Sequence, residues 1–214
     1  MIPLVIALAG VSLLTTLMIA MFALNRARLA GDDSPAATQS SQTANDFGAA
    51  PVFELTERSG RTIHSRELSG KIWLASFTFT RCLGVCPVMN ARAKQIQDAV
   101  LTMPGAEDVL LVSFTVDPEN DTPEVLAAKA KQLDADVDRW LWLSGPREKI
   151  WTIASQGFKL AVEEDPGNAD MPIAHSSKFV IVDRQGRIHG YYDSLDPASV
   201  ETVLTEIRKM VGKP

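Results

Sequence analysis

The chain contains two cysteines, Cys82 and Cys86, which are separated by three residues and followed directly by Pro87. Two thiols can form a disulfide when their Cα atoms lie within about 4.4–6.8 Å, and the same approach lets both sulfurs bind one metal ion. Two cysteines are too few for a disulfide-stabilised scaffold. The spacing therefore predicts thiol–disulfide chemistry or the binding of a soft metal, and the remaining alternative is a pair of buried, unreactive thiols.

The residues after Cys86 predict a helix with Pro87 in its first turn. Cys86 would then be the N-cap, where backbone N–H groups and the positive end of the helix dipole lower the pKa of a thiol. Cys82 lies in the predicted loop before this helix, and Gly84 allows that loop to fold back. We therefore expect a thiolate at Cys86.

A third ligand near the two cysteines would distinguish a metal-binding site from a site of thiol–disulfide chemistry. Cu(I) accepts two sulfurs and one nitrogen, whereas structural zinc usually has four ligands. The histidines are His64, His175 and His189, and His175 directly precedes a predicted strand, where it can border the cysteine loop. His64 and His189 are typical surface polar residues, and Met171 can be either an extra soft ligand or a packing residue. The residues alone leave open whether any histidine binds a metal.

The chain begins with a run of 23 uncharged residues, Ile2 to Leu24. A helix of this length spans about 35 Å and can cross the roughly 30 Å hydrocarbon layer of a membrane. A cleaved signal peptide is the alternative, but no basic residue precedes the run. We predict a transmembrane anchor at 1–25. Arg26 and Arg28 by themselves favour a cytoplasmic position for the rest of the chain.

Residues 26–49 are polar and read as a flexible linker, which leaves 50–214 as one folded domain. The net charge of −5 and the pI near 5.2 argue against a nucleic-acid-binding surface.

Within that domain, predicted strands alternate with predicted helices. The strands are placed at 51–56, 71–77, 109–116, 140–143, 178–182 and 187–192. One helix follows the cysteine loop, and three more cover 123–133, 147–156 and 197–211. This order predicts an α/β fold with a mixed central sheet flanked by helices.

The stretch 77–87, FTFTRCLGVCP, resembles the signature of the Sco/SenC family, and the resemblance continues in 113–118, 121–126, 142–145 and 175–183. Members of this family are thioredoxin-like, copper-handling proteins that serve cytochrome c oxidase assembly. The resemblance covers roughly 51–211. Residues 190–194 depart from the usual pattern, which adds redox sensing as an alternative role.

The resemblance implies Cys82, Cys86 and His175 as copper ligands. Cu(I) suits two sulfurs and one nitrogen, and Cu(II) is the alternative, with an added fourth ligand. It implies a single-pass anchor in the inner membrane with the domain on the periplasmic side, which overrides the orientation that Arg26 and Arg28 favour. The implied partners are cytochrome c oxidase subunit II or another copper protein, together with a thiol reductant.

Three functions are therefore compared. A copper chaperone, which is not an enzyme, is favoured. A thiol–disulfide oxidoreductase using Cys82 and Cys86 as a redox-active pair, which reduces the cysteines of a copper site, is the alternative. A peroxidase of the peroxiredoxin type is disfavoured, because no proline stands where that family has one ahead of its threonine.

Overall fold

The computed structural model describes residues 47–212. The predicted anchor at 1–25 and nearly all of the predicted linker at 26–49 lie outside the described residues, so both stay predictions. Within 47–212, none of the helices has the length and apolar character needed to cross a membrane.

The described residues form nine strands, seven of which build one sheet. The strands are β1 (Glu54–Glu57), β2 (Thr62–His64), β3 (Ile72–Thr78), β4 (Val109–Thr115), β5 (Trp140–Ser144), β6 (Val162–Glu164), β7 (Ile173–His175), β8 (Lys178–Val182) and β9 (Ile188–Asp193). The large sheet has the order β2-β1-β5-β4-β3-β8-β9, and β6 and β7 form a separate two-stranded hairpin. Neither strand of that hairpin was predicted, because three residues are too few to show an alternating pattern.

Within residues 47–212 there are four α-helices, three between strands and one after β9: α1 (Cys86–Leu101), α2 (Pro123–Gln132), α3 (Arg147–Thr152) and α4 (Ser199–Val211). A 3₁₀ turn covers Ser65–Leu68, and a π-helical turn, Ile153–Gly157, continues α3. A proline stands at the start of both α1 and α2, where its missing N–H costs no hydrogen bond. Thr122 caps α2, since its hydroxyl oxygen accepts a hydrogen bond from the Val125 N–H.

The central strands of the sheet are parallel and its flanking strands are antiparallel. β4 runs parallel to both β3 and β5, while β8 pairs antiparallel with β3 and β1 pairs antiparallel with β5. Every residue of β3, β4 and β5 is buried, as expected for strands covered on both faces. The prediction of a mixed sheet flanked by helices is confirmed.

The sheet separates two apolar cores. On one face, α1, α2 and α4 pack through residues such as Ile96, Leu126 and Val203. The other face carries an aromatic cluster in which Phe77 and Phe114 stack with ring centroids 5.1 Å apart. Cys82 and Cys86 belong to this second core. Both thiols therefore border apolar side chains, which hold water away from the sulfurs.

The parallel register brings two loops to the same edge of the sheet. Thr78 and Thr115 are partners at the ends of β3 and β4, so both strands finish at the same level. The loop after β3 carries Cys82, and the loop after β4 carries Asp117 and Asp121. In α/β sheets, the carboxyl ends of the strands are where functional residues usually gather.

Candidate metal centre

Cys82, Cys86 and His175 converge at this edge of the sheet. Their ligand atoms all lie within 4.8 Å of one another. The Cys86 Sγ and the His175 Nε2 are 3.2 Å apart, although the two residues are 89 positions apart in the sequence. Both cysteines are free thiols. The three residues that the family resemblance implied thus share one site.

Cys86 is the first residue of α1, and the residue at the N-cap is Val85. The prediction that Cys86 itself caps the helix is therefore wrong by one position. The Cys86 side chain is turned into the core, and the residue is 1% exposed. A thiol at this depth loses the hydration that would favour its charged form.

Apart from Phe79, which directly follows β3, Cys82 is the one buried residue in an otherwise partly or fully exposed loop. It is 4% exposed, whereas the neighbouring Leu83 is 73% exposed, and Arg81, Gly84 and Val85 are also accessible. No helix or strand fixes Cys82. Its position depends on contacts made by the residues beside it.

The two thiols have opposite pKa shifts. A hydrogen bond from the Cys86 thiol lowers the pKa of Cys82 well below its usual value; burial opposes this shift, and His175 and the backbone N–H groups of Cys86 and Gly84 assist it. Donating that hydrogen bond, together with burial, raises the pKa of Cys86. These two directions favour a thiolate at Cys82 rather than at Cys86, where the sequence had placed it.

His175 ends β7, and two contacts orient its ring. The Nδ1 lies 3.1 Å from the Ser176 carbonyl oxygen, to which only a protonated Nδ1 can donate. The Phe79 ring packs edge-on against the imidazole, with centroids 5.7 Å apart. With Nδ1 held by Ser176, Nε2 is the ring nitrogen that faces the sulfurs, and an outer partner on the second nitrogen is a feature of histidines that bind metals.

The segment between β6 and β7 contacts the cysteine loop at two points. The Leu83 N–H donates to the Asp170 carbonyl oxygen at 2.9 Å. Met171 lies directly against Gly84, since a Cβ added at Gly84 would be 3.3 Å from the Met171 Sδ. These contacts hold the hairpin that ends in His175 against the loop that carries Cys82. In this structure Met171 is a packing residue.

We expect Gly84→Val to weaken metal binding, because the valine side chain would push Met171 and the hairpin away from the cysteine loop. The expected loss is about tenfold in affinity, the lower end of the effect of residues that orient metal ligands. Metal titration of the reduced chain measures it. Truncating the neighbour as well, in Gly84→Val/Met171→Ala, should restore most of the affinity, whereas an equal loss in both variants would contradict the contact.

The other two histidines lie elsewhere. The His64 Nδ1 is 3.4 Å from a carboxylate oxygen of Glu54, and the His189 Nε2 is 3.2 Å from a carboxylate oxygen of Glu206. Across residues 47–212, Cys82, Cys86 and His175 are the only group of three histidine, cysteine or acidic side chains close enough to hold one metal ion.

Sequence reasoning missed two buried carboxylates beneath the site. Asp117 and Asp121 lie in segments that carry the family resemblance, but no role was predicted for either, and both are 0% exposed. Burial raises the pKa of Asp121, while hydrogen bonds from Thr115 and Thr80 oppose the shift. The available signal was two aspartates directly after a buried strand, on a loop that leaves the same sheet edge as the cysteine loop.

Comparison with known proteins gives consistent matches. A family model described as SCO1/SenC matches residues 40–212. The SCO1 protein homolog of Bacillus subtilis (strain 168) is 30% identical over 159 residues, which are 73% of this chain and 79% of the relative.

Solved structures match as well, and two of them illustrate the likeness. BsSco, described as having a disulfide switch and as a member of the Sco family of cytochrome c oxidase assembly proteins, aligns with a TM-score of 0.69 and 26% identity over 79% of this chain and 98% of its own. Bradyrhizobium japonicum ScoI with copper bound aligns with a TM-score of 0.64 and 22% identity over 76% of this chain and 99% of its own, a likeness of fold.

Proposed function

The chain belongs to the SCO1/SenC family, and from this premise we propose that it is a membrane-anchored copper chaperone. Copper is its cargo, and Cys82, Cys86 and His175 are the ligands. The protein would deliver copper to another copper protein, or prepare the copper site of that protein, with cytochrome c oxidase subunit II as the proposed client.

The observation that carries this proposal is the convergence of two sulfurs and one imidazole nitrogen within 4.8 Å. Soft thiolates favour Cu(I) over hard cations, and Cu(I) is satisfied by few ligands. The set has one ligand fewer than a usual structural zinc site. Three atoms within 4.8 Å of one another need shifts of less than about 1 Å to lie about 2.0–2.3 Å from a common centre, the range of metal bonds to nitrogen and sulfur.

The redox state of Cys82 and Cys86 would control whether the protein can bind copper. A metal ion needs two thiolates, so the disulfide form of Cys82 and Cys86 lacks the sulfur ligands. Reduction of that disulfide by a dithiol consumes two electrons and two protons from the reductant, which itself becomes a disulfide. The buried sulfurs make the pair a site that a partner must open before it can exchange ligands.

A thiol–disulfide oxidoreductase is the second candidate, and the lowered pKa of Cys82 favours it. The Cys82 thiolate would attack a disulfide in the client, forming a mixed disulfide and releasing one client thiolate. Cys86, after giving its proton to the released client thiolate, would then attack the Cys82 sulfur and release the second client thiolate, which takes a proton from water. The client gains two electrons, and Cys82 and Cys86 become a disulfide.

The proposed location rests on the apolar segment outside the described residues and on the family resemblance, which implies the periplasmic side. Residues 1–25 would form the anchor in the inner membrane, residues 26–49 the linker, and residues 50–214 the domain on the periplasmic side.

An exposed apolar rim flanks the thiols, with Leu83 73% and Val88 44% exposed. Such a rim suits docking against a protein client more than release of copper into water.

Anaerobic copper titration of the full chain in mild detergent tests the chaperone. The reduced chain is expected to bind one Cu(I) per molecule, and the same chain oxidised to the Cys82–Cys86 disulfide is expected to bind none. Stoichiometry is measured against a Cu(I) chelator of known affinity. A reduced chain that leaves all copper with the chelator, yet reduces a disulfide substrate, would replace the chaperone by the oxidoreductase.

A further inference from the structure

The segment between β3 and Cys82 is tied to the loop that follows β4. The Thr80 N–H donates to the two carboxylate oxygens of Asp121 at 3.1 and 3.3 Å, and the Thr80 hydroxyl donates to the same carboxylate. The next residue, Arg81, donates from Nε to Asp117 Oδ2 at 2.5 Å. Both residues immediately before Cys82 are thus fixed by buried acceptors.

Asp121 is itself held firmly. Its carboxylate also accepts a hydrogen bond from the Thr115 hydroxyl at 2.5 Å. Its N–H donates to the Asp117 carbonyl oxygen at 2.9 Å, and its own carbonyl oxygen accepts from the Ser144 hydroxyl at 3.3 Å. The Asp121 residue is therefore fixed to β4 and β5 in the middle of the sheet. Its hydrogen bonds to Thr80 fix that residue in turn.

Asp117 supports the same arrangement. The Asn120 side-chain amide donates to both of its carboxylate oxygens, at 2.9 and 3.1 Å, and the Arg147 guanidinium lies 3.8 Å away. A buried charge with several donors is strongly held in place, because leaving it unpaired is costly. The chain before Cys82 thus has two fixed points, one at each of its last two residues.

Cys82 needs such support and Cys86 does not. Cys86 begins a 16-residue helix, which sets the direction of its side chain. Cys82 is buried, but Leu83 and Gly84 after it are exposed, and the backbone contact after Cys82 is the Leu83 N–H with Asp170. The ties at Thr80 and Arg81 are therefore the firm support on the N-terminal side of Cys82.

We propose that Asp121, supported by Asp117, is a positioning residue that holds the Cys82 sulfur in the site through Thr80. The carboxylate touches none of the three candidate ligands and acts through the backbone of the cysteine loop. Outer partners of this kind orient metal ligands and typically change affinity 10–100-fold when removed. The proposal deepens the chaperone function, because it names what prepares one of its ligands.

The hydrogen bonds around Asp121 require a carboxylate at this position. Three donors point at Asp121: the Thr80 N–H, the Thr80 hydroxyl and the Thr115 hydroxyl. An ionised carboxylate accepts at both oxygens and donates nothing, whereas asparagine would turn an NH₂ group toward these donors. Asp121→Asn should therefore loosen Thr80 even though it preserves the side-chain shape.

The test measures alkylation of each cysteine separately. The reduced full chain is treated with iodoacetamide, and modification at Cys82 and Cys86 is followed over time by fragment-ion mass spectrometry. In Thr80→Val and Asp121→Asn, we expect the Cys82 rate to rise about tenfold, because local opening exposes the loop. The Cys86 rate should stay within about twofold, since α1 still holds that residue.

Matched controls separate positioning from general weakening. Thr202→Val removes a hydroxyl that donates to a helix carbonyl on the surface, and Asp108→Asn removes the carboxylate paired with Arg184. Both should leave the two rates unchanged. Thr80→Val removes one hydroxyl from a half-buried residue and keeps the N–H donor, so it still decides the question if Asp121→Asn does not fold.

Two results would overturn the proposal: an unchanged Cys82 rate in Thr80→Val, or rates at Cys82 and Cys86 that rise together with a drop in thermal midpoint. The readout needs no metal. If the wild-type chain fails to bind copper, the chaperone function fails, while the ratio of the two alkylation rates still tests the role of Asp121.

Discussion

Alanine in place of His175 is expected to weaken Cu(I) binding by the full chain about 10²–10⁴-fold. Structural metal sites gain about 10–16 kcal/mol from three or four ligands, so one ligand is worth roughly 3–5 kcal/mol, which converts to that range of affinities. The reason lies in the geometry, since the His175 Nε2 is 3.2 Å from the Cys86 sulfur and its tautomer is set by Ser176. Competition with a chelator of known Cu(I) affinity measures the change.

The other histidines provide the control. His64 and His189 each pair with a surface carboxylate, so His64→Ala and His189→Ala should bind Cu(I) as tightly as the wild type. The same His175→Ala protein also separates the two candidate functions, because disulfide exchange through Cys82 and Cys86 does not require an imidazole ligand. If His175→Ala binds Cu(I) as tightly as the wild type, His175 is not a copper ligand, and the oxidoreductase becomes the leading function.

The reactivity of Cys82 is expected to depend little on pH. The thiolate is the reactive form, and an ordinary thiol with a pKa near 8.5 becomes about 25-fold more reactive between pH 7 and pH 9 as its thiolate fraction grows. The hydrogen bond from Cys86 lowers the pKa of Cys82 well below that value, so Cys82 is already ionised at pH 7. Its alkylation rate should rise less than about twofold over the same range.

The same chain unfolded in urea is the reference, because there both thiols recover their ordinary pKa. Rates at pH 7 and pH 9, with the site of modification identified by mass spectrometry, provide the comparison. In the folded chain Cys86 should stay almost unmodified at pH 7, since its pKa is raised and it is deeply buried. Parallel pH profiles for Cys82 in the folded and unfolded chains would show that the hydrogen bond from Cys86 is not formed in solution.

The central elements of the fold could be predicted from the sequence. β3 and β4 are seven-residue runs in which every residue is buried, and α1 carries a helical stripe of buried residues that includes Met89, Ala93 and Ile96. Such patterns are strong because many residues repeat the same signal. The proximity of Cys82 and Cys86 is equally local, since only three residues separate them.

Long-range contacts could not be predicted from the same patterns. His175 reaches the thiols across 89 positions, and the hairpin that brings it there has strands of three residues. The position of His175 before a predicted strand left its role open, and the resemblance to the Sco/SenC family is what implied it as a ligand. Asp121 meets Thr80 across 41 positions, a contact that depends on the parallel register of β3 and β4.

The direction of the pKa shifts of Cys82 and Cys86 could not be predicted from the sequence either. A thiol at a helix start is expected to be acidic, whereas the hydrogen bond to Cys82 and burial raise the pKa of Cys86. The relative depth of the two sulfurs decides which one donates its proton to the other, and depth follows from the packing of the whole face. Cys86 belongs to α1 and is turned inward, whereas Cys82 receives backbone N–H groups from its own loop.

The parallel register of β3 and β4 also separates the chemistry from the opposite edge of the sheet. Seven residues at about 3.3 Å per residue put roughly 20 Å between the two ends of these strands. The turn that leads into β5 lies at the far edge, and its Val137 is 74% exposed. A fluorophore or an affinity handle attached at Val137 could therefore report on, or immobilise, the domain while the thiols keep their native surroundings.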